Sequence, residues 1–145
     1  LKAFSTFLLC YFIHRNSVKL INFSSTARLI TVSLKSVYYA SKAYVTYFSN
    51  AIAQELHDTD VTVTTLMPGA TETEFGAVSG MDKTVLFDKT ANARKVAEAG
   101  YNGMMKGKLD VITGLTGTQK VMMSMLPLMP KKALLKQVYS MQQEK

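Results

Sequence analysis

At 145 residues, 48% of them apolar, with a formal charge of +7, the chain has the length and apolar content for one globular domain and is too apolar for a solvated tail. One cysteine, Cys10, excludes an internal disulfide and suits a reducing, cytoplasmic compartment. The charge comes from lysines spread along the chain, with only Lys131, Lys132 and Lys136 clustered, so the basic patches and interleaved aromatics of a nucleic-acid module are missing and no nucleic-acid partner is expected.

The first segment is an apolar run (Phe4, Phe7, Leu8, Leu9, Tyr11, Phe12, Ile13) that begins at Leu1 without a lead-in, as expected of a chain cut inside a helix. A largely buried or interface helix over 1–15 is predicted, ended by Asn16-Ser17. It is too short to span a bilayer, and no small-residue cleavage site follows it. Val18, Leu20, Ile21 and Phe23 then form a short apolar run closed by Ser24-Ser25, the pattern of a buried parallel strand that delivers polar residues at its C-terminal end.

Thr26 to Lys35 has no periodicity and is expected to be a loop. From about Ser36 to about His57 a long helix is predicted, with Val45, Phe48, Ile52 and Leu56 at helical spacing. Asp58-Thr59-Asp60 ends it, and Val61, Val63, Leu66 and Met67 form a second strand stopped by Pro68-Gly69. The polar stretch 69–89, with Gly76 and Gly80, suits a mobile loop over a site. Thr90 or Asn92 caps a helix to about Lys106 carrying Val96, Ala99 and Met104, Gly107 ends it, and Leu109–Thr113 is a last strand. Two further helices, near 119–126 and 131–142, are divided by Pro127 and Pro130. The order strand, helix, strand, helix, strand is an α/β signature with a parallel sheet.

Tyr38 and Lys42 stand four apart, so a helix places both on one face about one turn apart. A phenol titrating near 10 is a poor acid-base catalyst at neutral pH until a neighbouring cation stabilises its anion, and Lys42 is placed to be that cation. Spacing alone carries little weight, because seven Tyr and fourteen Lys in this length yield roughly 0.7 such pairs by chance. By itself the pair is an amphipathic couple on an exposed face, Ser24-Ser25 a strand-end cap, and Pro68-Gly69 an ordinary turn. Together they are more: Ser25 lies thirteen residues before Tyr38, Ala40 and Ser41 fill the gap to Lys42, and Pro68-Gly69 follows the next strand.

Through Ile21-Asn22-Phe23-Ser24-Ser25, Tyr38-Tyr39-Ala40-Ser41-Lys42-Ala43 and Pro68-Gly69-Ala70-Thr71-Glu72-Thr73 the chain resembles the short-chain dehydrogenases/reductases. The resemblance implies the C-terminal, catalytic half of a Rossmann-like doubly wound parallel sheet, one partial domain over 1–145 with a helical extension from 115 to 145. It implies an NAD(P)-dependent oxidoreductase, NADP slightly favoured over NAD, acting on a small carbonyl or alcohol. Tyr38 is then the general acid-base, Lys42 the cation that stabilises its phenolate and hydrogen-bonds the nicotinamide ribose, and Ser25 the hydroxyl that polarises the substrate oxygen, with Ser24 structural. Pro68, Gly69, Ala70, Thr71 and Thr73 are expected along the nicotinamide, Gly69 for close backbone approach and a Thr for the carboxamide or a phosphate.

The resemblance also implies parts found outside these residues: the Gly-rich strand–helix turn for the pyrophosphate, the residue that sorts NAD from NADP, and a catalytic Asn expected upstream of Leu1. Arg28 and Thr31-Val32-Ser33 stand where relatives carry Gly or Pro. The helices over 1–15 and 36–57 are expected to form a homo-oligomer interface. The basic, apolar stretch 119–142 is expected to cap the pocket, with pairing to another subunit or contact with an anionic membrane surface as alternatives. Two rival readings stay open: a truncated, non-catalytic interaction partner, and a basic membrane-surface protein. His14 and His57 sit at helix ends without companions at metal-ligand spacing, and Met122, Met123, Met125 and Met129 suit packing or a pocket wall.

Overall fold

The structure, a computed structural model, describes residues 18–26, 36–84, 87–125 and 130–142. The expected helix over 1–15, most of the loop before Ser36, and Cys10, His14, Arg28 and Met129 lie outside the described residues. In chain order the elements are β1 (Val18–Phe23), α1 (Ser36–Glu55), β2 (Val61–Pro68), α2 (Phe75–Ser79), α3 (Ala93–Met105), β3 (Asp110–Thr113), α4 (Gly117–Met125) and α5 (Lys131–Gln142).

The strands form one parallel sheet in the order β1-β2-β3. Val18 pairs with Val61 and Phe23 with Leu66 along one seam, Thr65 with Asp110 and Pro68 with Thr113 along the other. In parallel strands this register brings the chain out on the same edge three times, at Ser24–Thr26, at Gly69–Thr73 and after Thr113. Crevices at the carboxyl edge of such sheets are where ligands bind.

Alternation along the strands sends successive side chains to opposite faces. Val18, Leu20, Val61 and Val63 pack with Phe48, Ile52 and Leu56 of α1 and its C-terminal turn. On the other face Ile21, Leu66 and Val111 meet α3, which comes so close that a Cβ on Gly100 would sit 2.7 Å from Leu66 Cδ2, and one on Gly103 would overlap Val111. Of the residues α3 carries, Val96 is buried together with Gly100 and Gly103, and Ala99 and Met104 are half-buried. Apolar periodicity passes over glycine, yet here its missing side chain is what lets helix and sheet touch.

β2 is covered from both sides, with Leu66 1% and Met67 0% exposed. Two hydroxyl residues are also fully buried there, and Thr64 Oγ1 donates to the Lys108 carbonyl at 2.7 Å, anchoring the approach to β3. α3 begins as expected at Asn92, whose side chain accepts from Lys95 N, and Gly107 follows its end with φ of 64°. Among the described residues no helix is long and apolar enough to cross a membrane.

The stretch 69–89 holds more local structure than its composition suggests. Ala91 N donates to Ala70 O at 2.8 Å and Glu72 N to Ala91 O at 2.9 Å, closing its base as a small parallel bridge. After that base comes α2, ended by Gly80 in the left-handed region at φ 65°, and the buried Met81 turns back on it, its N donating to the Gly76 carbonyl at 2.9 Å.

Candidate functional site

The site grows from the end of β1 and the first turns of α1. Lys42 Nζ donates to the Phe23 carbonyl at 3.0 Å and lies 5.9 Å from the centre of the Tyr38 ring. Helical spacing puts the two on one face, and the strand end fixes the lysine at the edge where the polar segments emerge. Tyr38 is half-buried, its ring edge-on to Tyr39 at 5.7 Å and tilted against Phe75 at 5.4 Å.

Partial burial holds the Lys42 ammonium below its ordinary value of 10.5, because desolvation disfavours the charged form. An unfolded chain then binds more protons at this site than the folded one between the lowered value and 10.5, so this contribution to stability rises with pH across that window. Accordingly, the protein is expected to gain stability relative to its Lys42→Met variant as pH rises toward 10.5, read from urea midpoints at each pH. A difference between the two that is constant with pH would contradict the desolvated lysine.

Ser25 is buried directly after Ser24 at the end of β1, two residues on from the Phe23 carbonyl that holds Lys42. Thr26 Oγ1 donates to the Pro68 carbonyl at 3.2 Å, tying the ends of β1 and β2 together. Gly69 N donates to Thr113 O at 2.9 Å, and a Cβ on Gly69 would meet Leu115 Cδ2 at 2.8 Å and the Gly114 oxygen at 2.9 Å. A glycine at 69 thus allows a close approach to the chain's own backbone after β3. Ala70 is part of the bridge to Ala91, and Thr71 Oγ1 donates to Gly69 O at 3.0 Å, which shapes the turn that presents Thr71 and the exposed Thr73.

Ser25, Tyr38, Lys42, Pro68, Gly69, Ala70, Thr71 and Thr73 therefore belong to segments that leave the same edge of the sheet. Phe75 and Thr46 are site neighbours that sequence reasoning missed. Nothing in local periodicity connects Phe75 to Tyr38, since the folded loop brings them together. Thr46 carried a signal: it lies four residues after Lys42, on the same face of the helix. The expected apolar stripe Val45, Phe48, Ile52, Leu56 holds for the lower half of α1, whereas the site half buries Tyr39, Thr46 and Ser49. Hydroxyls can be buried there because each has a partner, Ser49 Oγ donating to Val45 O at 2.6 Å and accepting from Asn22 Nδ2 at 2.8 Å.

His57 is exposed, 2.9 Å from Asp58 and 2.8 Å from the Gln54 carbonyl. Among the described residues no group of His, Cys, Asp and Glu is placed to hold a metal ion.

Residues 3–84 match the family model described as short chain dehydrogenase. The fold is similar to that of a short chain dehydrogenase from Burkholderia cenocepacia in complex with NADP, at TM-score 0.63 and 19% identity, over 81% of this chain and 46% of that one. It is also similar to a short-chain dehydrogenase from Sphingobium yanoikuyae in complex with NADPH, at TM-score 0.57 and 24% identity, over 72% of this chain and 44% of that one. The chain thus spans less than half the length of these two structures. No curated protein matches it at a significant level.

Proposed function

Because this chain belongs to the short chain dehydrogenase family, we propose that it is the catalytic half of an NAD(P)-dependent oxidoreductase that interconverts a carbonyl and an alcohol. The observation that carries the reading is the pairing of Tyr38 with a Lys42 ammonium held 3.0 Å from the Phe23 carbonyl at the ligand-binding edge of the sheet.

In the reductive direction the Tyr38 phenol gives its proton to the substrate oxygen, and in the oxidative direction its phenolate takes one back. Lys42 stabilises the phenolate as a neighbouring cation. Ser25 donates a hydrogen bond to the same oxygen, stabilising charge as it develops there. A bound nicotinamide supplies or accepts the hydride, while the protein orients and polarises. The donors present suit the nicotinamide end of such a cofactor. An ammonium has three N–H groups, and the one spent on Phe23 leaves others for ribose hydroxyls. The strip Pro68, Gly69, Ala70, Thr71, Thr73 follows β2 at the same edge of the sheet and carries two hydroxyl side chains. The NADP and NADPH bound to the two similar proteins support NADP ahead of NAD.

The test is nicotinamide oxidation by the full-length protein that carries this chain, followed by absorbance across a panel of aldehydes and ketones. Consumption of cofactor with a carbonyl, faster with NADPH than with NADH, is expected. No consumption with any member of the panel, and no cofactor reduction with the matching alcohols, would overturn the reading.

We place the enzyme in the cytoplasm as a homo-oligomer joined through 1–15 and α1, whose Val37, Tyr44 and Tyr47 are exposed. The C-terminal helices cap the pocket in this reading. Contact of 119–142 with an anionic membrane surface is a second reading, favoured by exposed Val121, Met125, Leu135 and Tyr139 among Lys120, Lys132 and Lys136.

A further inference from the structure

We propose that Ser24 and Thr46 are positioning residues: a buried pair of hydroxyls that fixes Lys42, and with it the register of α1 against the active end of β1. Ser24 Oγ donates to the Lys42 carbonyl at 2.8 Å, and it lies 2.6 Å from Thr46 Oγ1, itself 3.2 Å from that same carbonyl. Each hydroxyl has one proton. With the Ser24 proton on Lys42 O, Thr46 supplies the proton between the two side chains or shares it with the carbonyl. Ser24 is 3% exposed and Thr46 0%, so solvent does not replace these bonds.

Lys42 is therefore gripped at both ends by consecutive residues of one strand end. The Phe23 carbonyl accepts from its ammonium, and the Ser24 side chain donates to its backbone carbonyl. Ser25 comes next in the chain. One turn further along α1, Asn22 Nδ2 donates to Ser49 Oγ at 2.8 Å, continuing the polar seam between helix and strand. Elsewhere α1 meets the sheet through Ile52, Leu56, Val61 and Val63. Apolar contacts are non-directional and tolerate small slides or rotations of a helix, whereas hydrogen bonds require both distance and angle. A helix turns about 100° per residue, so even a fraction of one residue's rotation swings the Lys42 side chain away from the Phe23 carbonyl. The hydroxyl seam lies at the end of the helix that carries Tyr38 and Lys42, and the apolar contact lies at the other.

The inference rests on Tyr38 and Lys42 acting as proposed above, and its test reads the position of Lys42 separately from turnover. In the full-length protein, trace acetylation with acetic anhydride followed by mass spectrometry gives the reactivity of Lys42 relative to the exposed Lys120. Lys42 labelling is expected to depart from wild type by about threefold or more in Ser24→Ala and in Thr46→Val, because the ammonium leaves both its carbonyl and its partly buried setting and the fraction of free amine changes with them. Thr46→Ser, which keeps the hydroxyl, is expected to restore wild-type labelling. Where NADPH is consumed with a carbonyl, kcat is expected to fall about 10- to 100-fold in the first two variants with KM little changed. Unchanged Lys42 labelling in Ser24→Ala and Thr46→Val overturns the inference, as does equal disturbance by Thr46→Ser and Thr46→Val. Should Ser24→Ala fail to fold, the near-isosteric Thr46→Val and its Thr46→Ser control decide the question alone. Undiminished turnover in Tyr38→Phe would remove the functional reading and leave the labelling result to judge the hydroxyl pair.

Discussion

Replacing Tyr38 with Phe is expected to lower kcat for carbonyl reduction by about 10²- to 10⁴-fold, the usual contribution of a positioned proton donor. The substitution removes one oxygen and keeps the ring. That ring is held by packing, edge-on to Tyr39 at 5.7 Å and against Phe75 at 5.4 Å, and neither contact involves the phenolic oxygen in a hydrogen bond to the chain. A phenylalanine keeps both contacts, so the melting temperature is expected to stay within about 2 °C of wild type. Because proton transfer belongs to the transition state, the loss should fall on kcat and on kcat/KM equally, with KM little changed. Steady-state kinetics of the full-length protein with NADPH and the best carbonyl of the panel measure this. Undiminished turnover would remove Tyr38 from the chemistry whatever the family.

Leu66→Ala is expected to cost about 2–5 kcal/mol, the largest stability effect of a single substitution considered for this chain. Leu66 is 1% exposed in the central strand, and its methyls face Gly100 of α3, which has no side chain with which to fill the space left behind. The helix already lies close to the strand at Gly103, where a Cβ would overlap Val111, so α3 cannot settle inward without a clash. A cavity that cannot collapse adds its own penalty to the lost burial. Against a typical stability of about 5–15 kcal/mol, such a loss populates the unfolded state. Combining Leu66→Ala with Gly100→Ala should recover part of it, because the new methyl enters the vacated space. Gly100→Ala alone places a Cβ 2.7 Å from Leu66 Cδ2 and is expected to destabilise. Urea unfolding of the four proteins gives the coupling directly. A loss below about 1 kcal/mol for Leu66→Ala would mean that α3 moves freely over β2.

The same contact shows where the sequence was legible. The strands at Val18–Phe23 and Val61–Pro68 and the cap at Asn92 stand where apolar runs and a capping side chain placed them, because those signals are local: an apolar run bounded by polar residues, and a hydrogen bond within one turn. The partner face of α3 is not legible in the sequence, because Gly100 and Gly103 have no apolar side chain to count. Their role exists only once Leu66 and Val111 lie across from them. The stretch after Thr73 reads as an irregular loop in the sequence because a five-residue helix leaves almost no periodic trace, and the bridge at its base joins Thr71 to a residue twenty positions on.

For the site, the sequence by itself determined which chemical groups are present and in what order: a hydroxyl pair at a strand end, Tyr38 and Lys42 one helical turn apart, and Pro68-Gly69 after the next strand. Those are properties of spacing along one element or across a short connection, and helix and strand geometry convert spacing into direction without further information. Only the tertiary structure decided which groups hold which. That Lys42 is anchored by Phe23, that Ser24 and Thr46 share its carbonyl, that Phe75 rests on Tyr38 and that Gly69 is pressed against Gly114 all depend on the parallel register of β1, β2 and β3. That register is set by which apolar faces bury one another, a sum over contacts distant in sequence that no local window contains.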